Sequence, residues 1–329
     1  MRQWMCSRAL VIGIVLVVGP VAGCSDDGPV RRSARAGRIA TIEERISLGS
    51  GSALRVDPDD AIYVGMEGGL VRYPRTGKRR WIYDAVQSGN ELTGIAFGRG
   101  LVFFTEGEDR TVRAIKPNGG LINFAGNGRA SRPADGTPAA LGPLLCPSGL
   151  AYSTKSDELL IRDGAEIRAI DNKGVIRTDV HQDKINDTES CGIFGSTGLA
   201  TDPDGWIYNA GRNYVVKVRG PEHYSYPPEG FEASPPAFDG IVDWVYDRRS
   251  KSVFVADQHR VRRIAPDGTI TIVAGNGKDE VSGDGGRALD AGLGELVALD
   301  LDSKGNLYLL TRFPPGLRVI GGPIAEGSK

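Results

Sequence analysis

The sequence predicts an all-β chain, a six-bladed β-propeller of four-stranded antiparallel blades whose ring is closed by an N-terminal strand in the last blade. Three observations carry this. One pattern of short β-rich runs recurs six times along the chain. Turns rich in Asp, Asn, Pro and Gly punctuate it at corresponding places. Glycine accounts for 46 of the 329 residues, well above its usual share of about 7%.

Each repeat reads as a β-rich run, a polar turn, a second run and a third run rich in basic residues. Second runs lie at 61–66, 101–105, 158–162, 206–210, 252–256 and 306–310, and third runs at 69–73, 111–115, 166–170, 214–218, 260–264 and 316–320. First runs precede them, as at 148–152, 197–201 and 242–246, and fourth runs follow, as at 121–124, 175–179 and 269–273. Four short strands per unit, with units starting roughly 40 to 57 residues apart, match propeller blades.

The turns agree with that spacing. Asp57-Pro58-Asp59-Asp60, Asp202-Pro203-Asp204-Gly205 and Asp302-Ser303-Lys304-Gly305 separate first from second strands. Pro117-Asn118-Gly119-Gly120, Asn172-Lys173-Gly174 and Pro266-Asp267-Gly268 separate third from fourth. Asp and Asn close such turns through their own backbone, and Gly supplies positive φ. The spacing of these acids is not that of a twelve-residue calcium loop, which favours structural turns over calcium sites.

The N-terminus speaks to compartment. Arg2 and Arg8 flank the start, residues 9–18 are apolar, and Val21-Ala22-Gly23-Cys24 follows. A basic start, a short apolar run and small residues describe an export signal over 1–23, too short to span a bilayer comfortably. Val-Ala-Gly-Cys resembles the lipobox of bacterial lipoproteins, which implies cleavage before Cys24 and diacylation of its sulfur. Residues 24–37 are polar and read as a flexible tether. The globular part spans 38–324, with a tail at 325–329. Cys146 and Cys191 are then the remaining pair in an oxidising compartment, either a disulfide or two buried thiols.

The repeats resemble the NHL family. The most specific pieces are Ala125-Gly126-Asn127-Gly128 with Asp135-Gly136, and Ala274-Gly275-Asn276-Gly277 with Ser282-Gly283-Asp284-Gly285-Gly286. The run from Val255 to Ile264 is the closest match to the repeat core. The resemblance implies a propeller that mostly binds things, with a minority of enzymes among its relatives. Ring closure follows from edges: the last unit shows three strands, while residues 38–46 form an orphan run before the first blade. Pairing the two removes an exposed edge.

Several chemistries lack their residues. Net charge is −1, with 40 Lys plus Arg against 41 Asp plus Glu, so no basic footprint for nucleic acid exists. Gly275-Asn276-Gly277-Lys278 is followed by Asp279 where a phosphate loop needs Ser or Thr. His181, His223 and His259 fall in different parts of the pattern, unlike the channel histidines of zinc-dependent NHL lyases. No Gly-x-Ser-x-Gly or His-Glu-x-x-His occurs.

Asymmetry between faces points to binding. Turns within blades are short, whereas the connections at 126–145, 183–194, 227–237 and 275–293 are long, and long loops on a rigid scaffold carry binding residues. Aligned first strands give a column of small residues, Ala53, Gly94, Gly149, Gly198 and Ala298, broken by Asp243. Three positions earlier stand Glu91, Cys146, Gly195, Gly240 and Glu295. Glu91, Asp243 and Glu295 therefore gather at the channel mouth as candidate ligand-binding residues. Their loose resemblance to the calcium site of gluconolactonase-like propellers leaves calcium open, with solvated acids or local ion pairs as the other reading. Two positions beyond the column, only Arg55 and Asp300 are charged, which predicts an ion pair across the closure, against separate contacts with channel water. Cys146 and Cys191 precede the third and fourth blades closely enough to suggest a bridge at that mouth.

The expected function is an envelope-anchored, extracytoplasmic binding or sensing protein without catalytic or metal-ligating residues and without a cofactor. Its partners would be the membrane, through the lipid, and a protein, glycan or small molecule on the loop-rich face. The rival readings are a lactonase- or lyase-like enzyme with a cation on Glu91, Asp243 and Glu295, and a protein-docking scaffold.

Overall fold

A computed structural model describes residues 34–43, 46–48, 52–84, 91–180, 198–210, 214–219, 222–226 and 238–322. Six small antiparallel sheets form a β-propeller, and a single 3-10 turn at Ala288–Asp290 is the only helical element among the described residues. The first blade comprises Leu54–Val56, Ile62–Met66, Gly69–Tyr73 and Arg80–Asp84. The second comprises Leu92–Gly98, Leu101–Glu106, Thr111–Ile115 and Leu121–Ala125, and the third Pro147–Ser153, Glu158–Asp163, Glu166–Ile170 and Val175–Val180. Ala200–Thr201, Ile207–Ala210, Val215–Arg219 and Glu222–Tyr226 make the fourth. Ile241–Asp247, Ser252–Asp257, Arg260–Ile264 and Ile270–Ala274 make the fifth. The sixth has Leu296–Leu301, Leu307–Thr311 and Gly316–Ile320, with Ile39–Glu43 as its outer strand.

The N-terminal strand closes the ring as the sequence suggested. Ile39 pairs with Ile320 and Thr41 with Arg318, and Ile39 is fully buried. Around the axis each inner strand meets the next, and the sixth meets the first. The core follows from this: successive side chains point to opposite faces and the middle strands are apolar on both, so each blade buries both faces against its neighbours. Six separate clusters result, one for each seam. The closing seam packs Leu54, Ile62, Val64 and Tyr73 of the first blade against Tyr308, Leu310 and Val319 of the sixth.

The turn acids act on backbone. Asp57 Oδ1 accepts the amides of Asp59 and Ala61, Asp202 Oδ1 those of Asp204 and Trp206, and Asp302 Oδ1 those of Lys304 and Asn306. Each carboxylate thereby organises the hairpin that follows it.

Two of the long connections differ from the expectation of free binding loops. Their residues fold back along the outer edge of the following blade. Thr137 and Pro138 pair with Ile176 and Val175 of the third blade. In the sixth, Arg38 bridges Arg287, and Gly285 and Gly286 exchange backbone bonds with Ile39. An exposed edge strand is a template for aggregation, and these loops cover it. The repeated Ala-Gly-Asn-Gly sequences start them: a Cβ on Gly126 would stand 2.1 Å from the Arg110 carbonyl, and one on Gly275 would stand 2.3 Å from that of His259. Each loop then sends an aspartate into the next blade. Asp135 accepts from Arg168 at 2.9 Å and from the Thr178 amide at 2.9 Å. Asp284 accepts from Arg318 at 2.5 Å and from the Thr41 amide at 2.7 Å. Residues 183–194 and 227–237 lie outside the described residues, as do the export signal, Cys24 and most of the tether.

Candidate functional site

The inner strands carry the candidate site, and a backbone bond marks the equivalent position in four of the six blades. The residue after the second strand donates to the carbonyl at the head of the first: Gly107 to Glu91 at 3.4 Å, Gly164 to Cys146 at 3.1 Å, Gln258 to Gly240 at 3.2 Å, and Arg312 to Glu295 at 2.9 Å. Glu91, Cys146, Gly240 and Glu295 are thus structurally equivalent, in keeping with their aligned column. Just beyond, the ladder between first and second strands shifts register in the second, third, fifth and sixth blades. Such bulges re-aim side chains, and this one sits at the column that holds Asp243.

Asp243 is 2% exposed and forms a two-pronged ion pair with Arg55 of the first blade. Arg55 Nη1 donates to Oδ2 at 2.9 Å and Nη2 to Oδ1 at 3.2 Å, while the Leu299 amide donates to Oδ2 at 3.1 Å. Arg55 Nη1 also lies 2.6 Å from the Leu54 carbonyl. The planar guanidinium fork matches a carboxylate in this way and ties the first blade to the fifth past the inner strand of the sixth. A Cβ on Gly198 would come within 2.5 Å of Asp243 Oδ1, so the fourth blade's glycine makes room for the carboxylate.

The expected pair of Arg55 with Asp300 is therefore corrected. Asp300 turns its oxygens to backbone, accepting from Val56 N at 2.6 Å and Leu301 N at 2.8 Å, and it feels Arg55 only through space. Those amides fix its orientation across the sixth-to-first seam, leaving the fork to Asp243. Two carboxylates and one guanidinium share this desolvated centre. Burial pushes the Asp300 carboxyl up to about 6, against the opposing pull of Arg55 and of the two amides. For Arg55, desolvation works to lower the pKa, but the charge and hydrogen bonds of Asp243 outweigh it and the guanidinium is held above its usual range.

A pH dependence follows. The native pKa of Asp300 exceeds its unfolded value of about 4, so between about pH 4 and 6 the folded chain binds more protons than the unfolded one. Stability is expected to fall as pH rises through that window, by on the order of 3 kcal/mol, and then to level off. Urea melts across that range check it, and Asp300→Asn should remove the slope.

The three candidate carboxylates have separate surroundings. Glu295 pairs with Arg312, whose Nε is 3.3 Å away, and Glu91 is half-buried at the head of the second blade. Among the described residues no group of three or more His, Cys, Asp or Glu side chains could hold a metal ion, so Glu91, Asp243 and Glu295 do not form a cation cradle there. Ring nitrogen Nδ1 of His259 faces the Gly294 carbonyl at 2.8 Å, which pins the loop leading into the sixth blade.

Sequence reasoning missed the acids that end second strands. Asp257 Oδ1 accepts the amides of Asp239 and Gly240, and its Oδ2 takes Arg262 at 2.5 Å. Asp163 Oδ1 accepts the Cys146 amide at 2.6 Å. Burial raises the Asp163 pKa, against the bonds from Cys146 and Leu145. These carboxylates hold the chain leading into the fifth and third blades, and their shared place at the end of the second strand was the signal available. Cys191 lies outside the described residues, and so do Gly195 and His181.

No protein-family model matches the chain, and no curated protein matches it in sequence. Solved structures share its fold. A gluconolactonase from Xanthomonas campestris aligns over 93% of this chain and 98% of its own, with a TM-score of 0.59 and 13% identity. An auxiliary nutrient binding protein from Bacteroides thetaiotaomicron aligns over 84% and 69%, with a TM-score of 0.59 and 15% identity. A virginiamycin B lyase from Staphylococcus aureus, solved in a catalytically inactive form with quinupristin, aligns over 86% and 99%, with a TM-score of 0.55 and 11% identity.

Proposed function

We propose that this chain is an NHL-type binding propeller, exported and anchored to the cell envelope through lipid on Cys24. In this reading it takes a protein, glycan or small molecule on the loop-rich face. The observation that carries binding rather than catalysis is the saturation of Asp243, whose two oxygens are occupied by the Arg55 fork and the Leu299 amide. A carboxylate so engaged has little capacity left to ligate a cation or move a proton. The nutrient-binding neighbour is compatible with this role. We further propose that Cys146 and Cys191 form a disulfide that would brace the loop at 183–194, with two free thiols on peptide mapping as the contrary result.

A second reading, an extracytoplasmic lactonase- or lyase-like enzyme, draws on the gluconolactonase and lyase neighbours. Elemental analysis of the purified chain separates the two. A stoichiometric divalent ion would favour the enzyme, and its absence favours binding. Cys24→Ala is expected to end lipid labelling and release the chain from membranes; labelling that persists would refute the anchor.

A further inference from the structure

The outer strand of the first blade opens on a run without acids. Residues 74–83 read Pro-Arg-Thr-Gly-Lys-Arg-Arg-Trp-Ile-Tyr, and Arg75, Lys78, Arg79 and Arg80 are all exposed. Trp81 follows with 53% of its surface open, although this large ring is highly buried on average. Within Arg80–Asp84 the first two residues are both exposed, Arg80 on the face of its partner Arg72 and Trp81 on that of Val71, so the rim presents a basic group on one face and an indole on the other.

This rim adjoins the blade into which the N-terminal segment runs. Arg79 Nη1 lies 3.6 Å from Glu43 Oε2, at the end of the closing strand. That strand is five residues long, so its start at Ile39 is only about 17 Å away. The preceding chain is fastened there too, since Ala36 bridges Gly321 and the Gly37 amide donates to the Gly321 carbonyl. From Cys24 to the first described residue, Ala34, the chain can reach at most about 35 Å. A lipid on Cys24 would therefore keep the rim close to the bilayer.

We infer that the Arg75–Lys78–Arg80–Trp81 rim is a second membrane contact, resting on an anionic lipid surface; the inference rests on the anchored reading above. The chemistry of the rim fits that surface. An indole settles at headgroup level, and clustered Lys and Arg side chains are drawn to anionic headgroups within a Debye length. One attachment raises the effective concentration of the other, so a patch too weak to hold the chain alone becomes occupied once the tether is in place. The propeller then stands with its sixth-to-first seam toward the lipid.

Tryptophan quenching tests this on the full chain, reconstituted in vesicles of phosphatidylcholine with or without phosphatidylglycerol, each containing lipid brominated high on the acyl chain. With Trp4 of the export segment replaced throughout (Trp4→Phe) and with Trp206 and Trp244 buried, the response reports Trp81. Quenching is expected on the phosphatidylglycerol vesicles, and Trp81→Phe should abolish that component. Arg75→Gln with Arg80→Gln, or high salt, should cut it by about twofold or more. Both variants alter exposed positions, and an unchanged thermal melt verifies the fold. Quenching that survives Trp81→Phe, or a Trp81 left unquenched on the anionic vesicles, overturns the inference. The mass of the Cys24 peptide reports the anchor separately: a lipidated chain with unquenched Trp81 loses the rim and keeps the anchor. An unlipidated chain whose Trp81 is still quenched by anionic vesicles keeps the rim and loses the anchor.

Discussion

Replacing Arg55 with alanine is expected to destabilise the propeller by about 3–5 kcal/mol, because it strands a buried carboxylate without its partner. Asp243 is 2% exposed and cannot recover in water what it loses from the fork. Asp300 would suffer as well, since the Arg55 charge is the strongest influence opposing the effect of its burial. The loss should therefore be larger near neutral pH than near pH 4, where Asp300 is protonated in either chain. A double-mutant cycle measured by denaturant melts separates the two acids. Arg55→Ala with Asp243→Ala should show coupling of about 2 kcal/mol or more, and Arg55→Ala with Asp300→Ala clearly less. Equal couplings would mean that the two-pronged geometry does not decide the energetics. Replacing the pair by well-packed Met and Leu should cost far less than either single truncation, as removal of a whole buried pair often does.

Removing residues 38–46 is expected to make the propeller aggregate. The deletion uncovers Gly316–Ile320, whose backbone partners are Ile39–Glu43, and empties the core positions of Ile39 and Ile46. It also removes the Thr41 amide from Asp284 and leaves the covering loop without Ile39 and Arg38. An unpaired edge beside exposed apolar surface templates intermolecular pairing. Light scattering and size-exclusion chromatography check this; a deleted chain as monomeric and as stable as the parent would refute the closure. Arg318→Met is a milder probe of the same seam. Arg318 is 1% exposed and donates to the carbonyls of Gly292 and Ser282 and to Asp284. Its loss leaves buried acceptors unpaired and should cost about 1–3 kcal/mol. Arg168 holds the equivalent place in the third blade, donating to the Pro133 carbonyl and Asp135.

Much of the candidate site was legible, but unevenly. The column of Glu91, Cys146, Gly240 and Glu295 is borne out by one backbone bond, repeated in these four blades, to the residue after the second strand. Asp243 stood out as the one acid in a column of small residues, and Arg55 and Asp300 as the only charges in the next. What could not be read was which acid takes the arginine. Register within a strand is local, whereas Arg55 and Asp243 are 188 positions apart and meet across the inner strand of a third blade. The long loops misled for a similar reason: length marks a loop as available for binding, yet the connections beginning at Gly126 and Gly275 spend their backbone covering outer edges. Asp135 and Asp284 belonged to the quoted repeat signature, but their arginine partners lie in the next blade.

The sequence by itself determined the number of blades, the order of strands, the turns and the closing strand. The blades, strand order and turns depend on side-chain alternation and on glycine and Asp placement within a few dozen residues. The closing strand depends on the cost of an open edge, which pairing Ile39–Glu43 with Gly316–Ile320 removes. Only the tertiary structure decided how buried charge is distributed and what the loops cover. Those outcomes depend on angles between blades: Asp243 takes one backbone amide, from Leu299, and still receives the Arg55 fork, whereas each oxygen of Asp300 is taken by an amide, from Val56 and from Leu301.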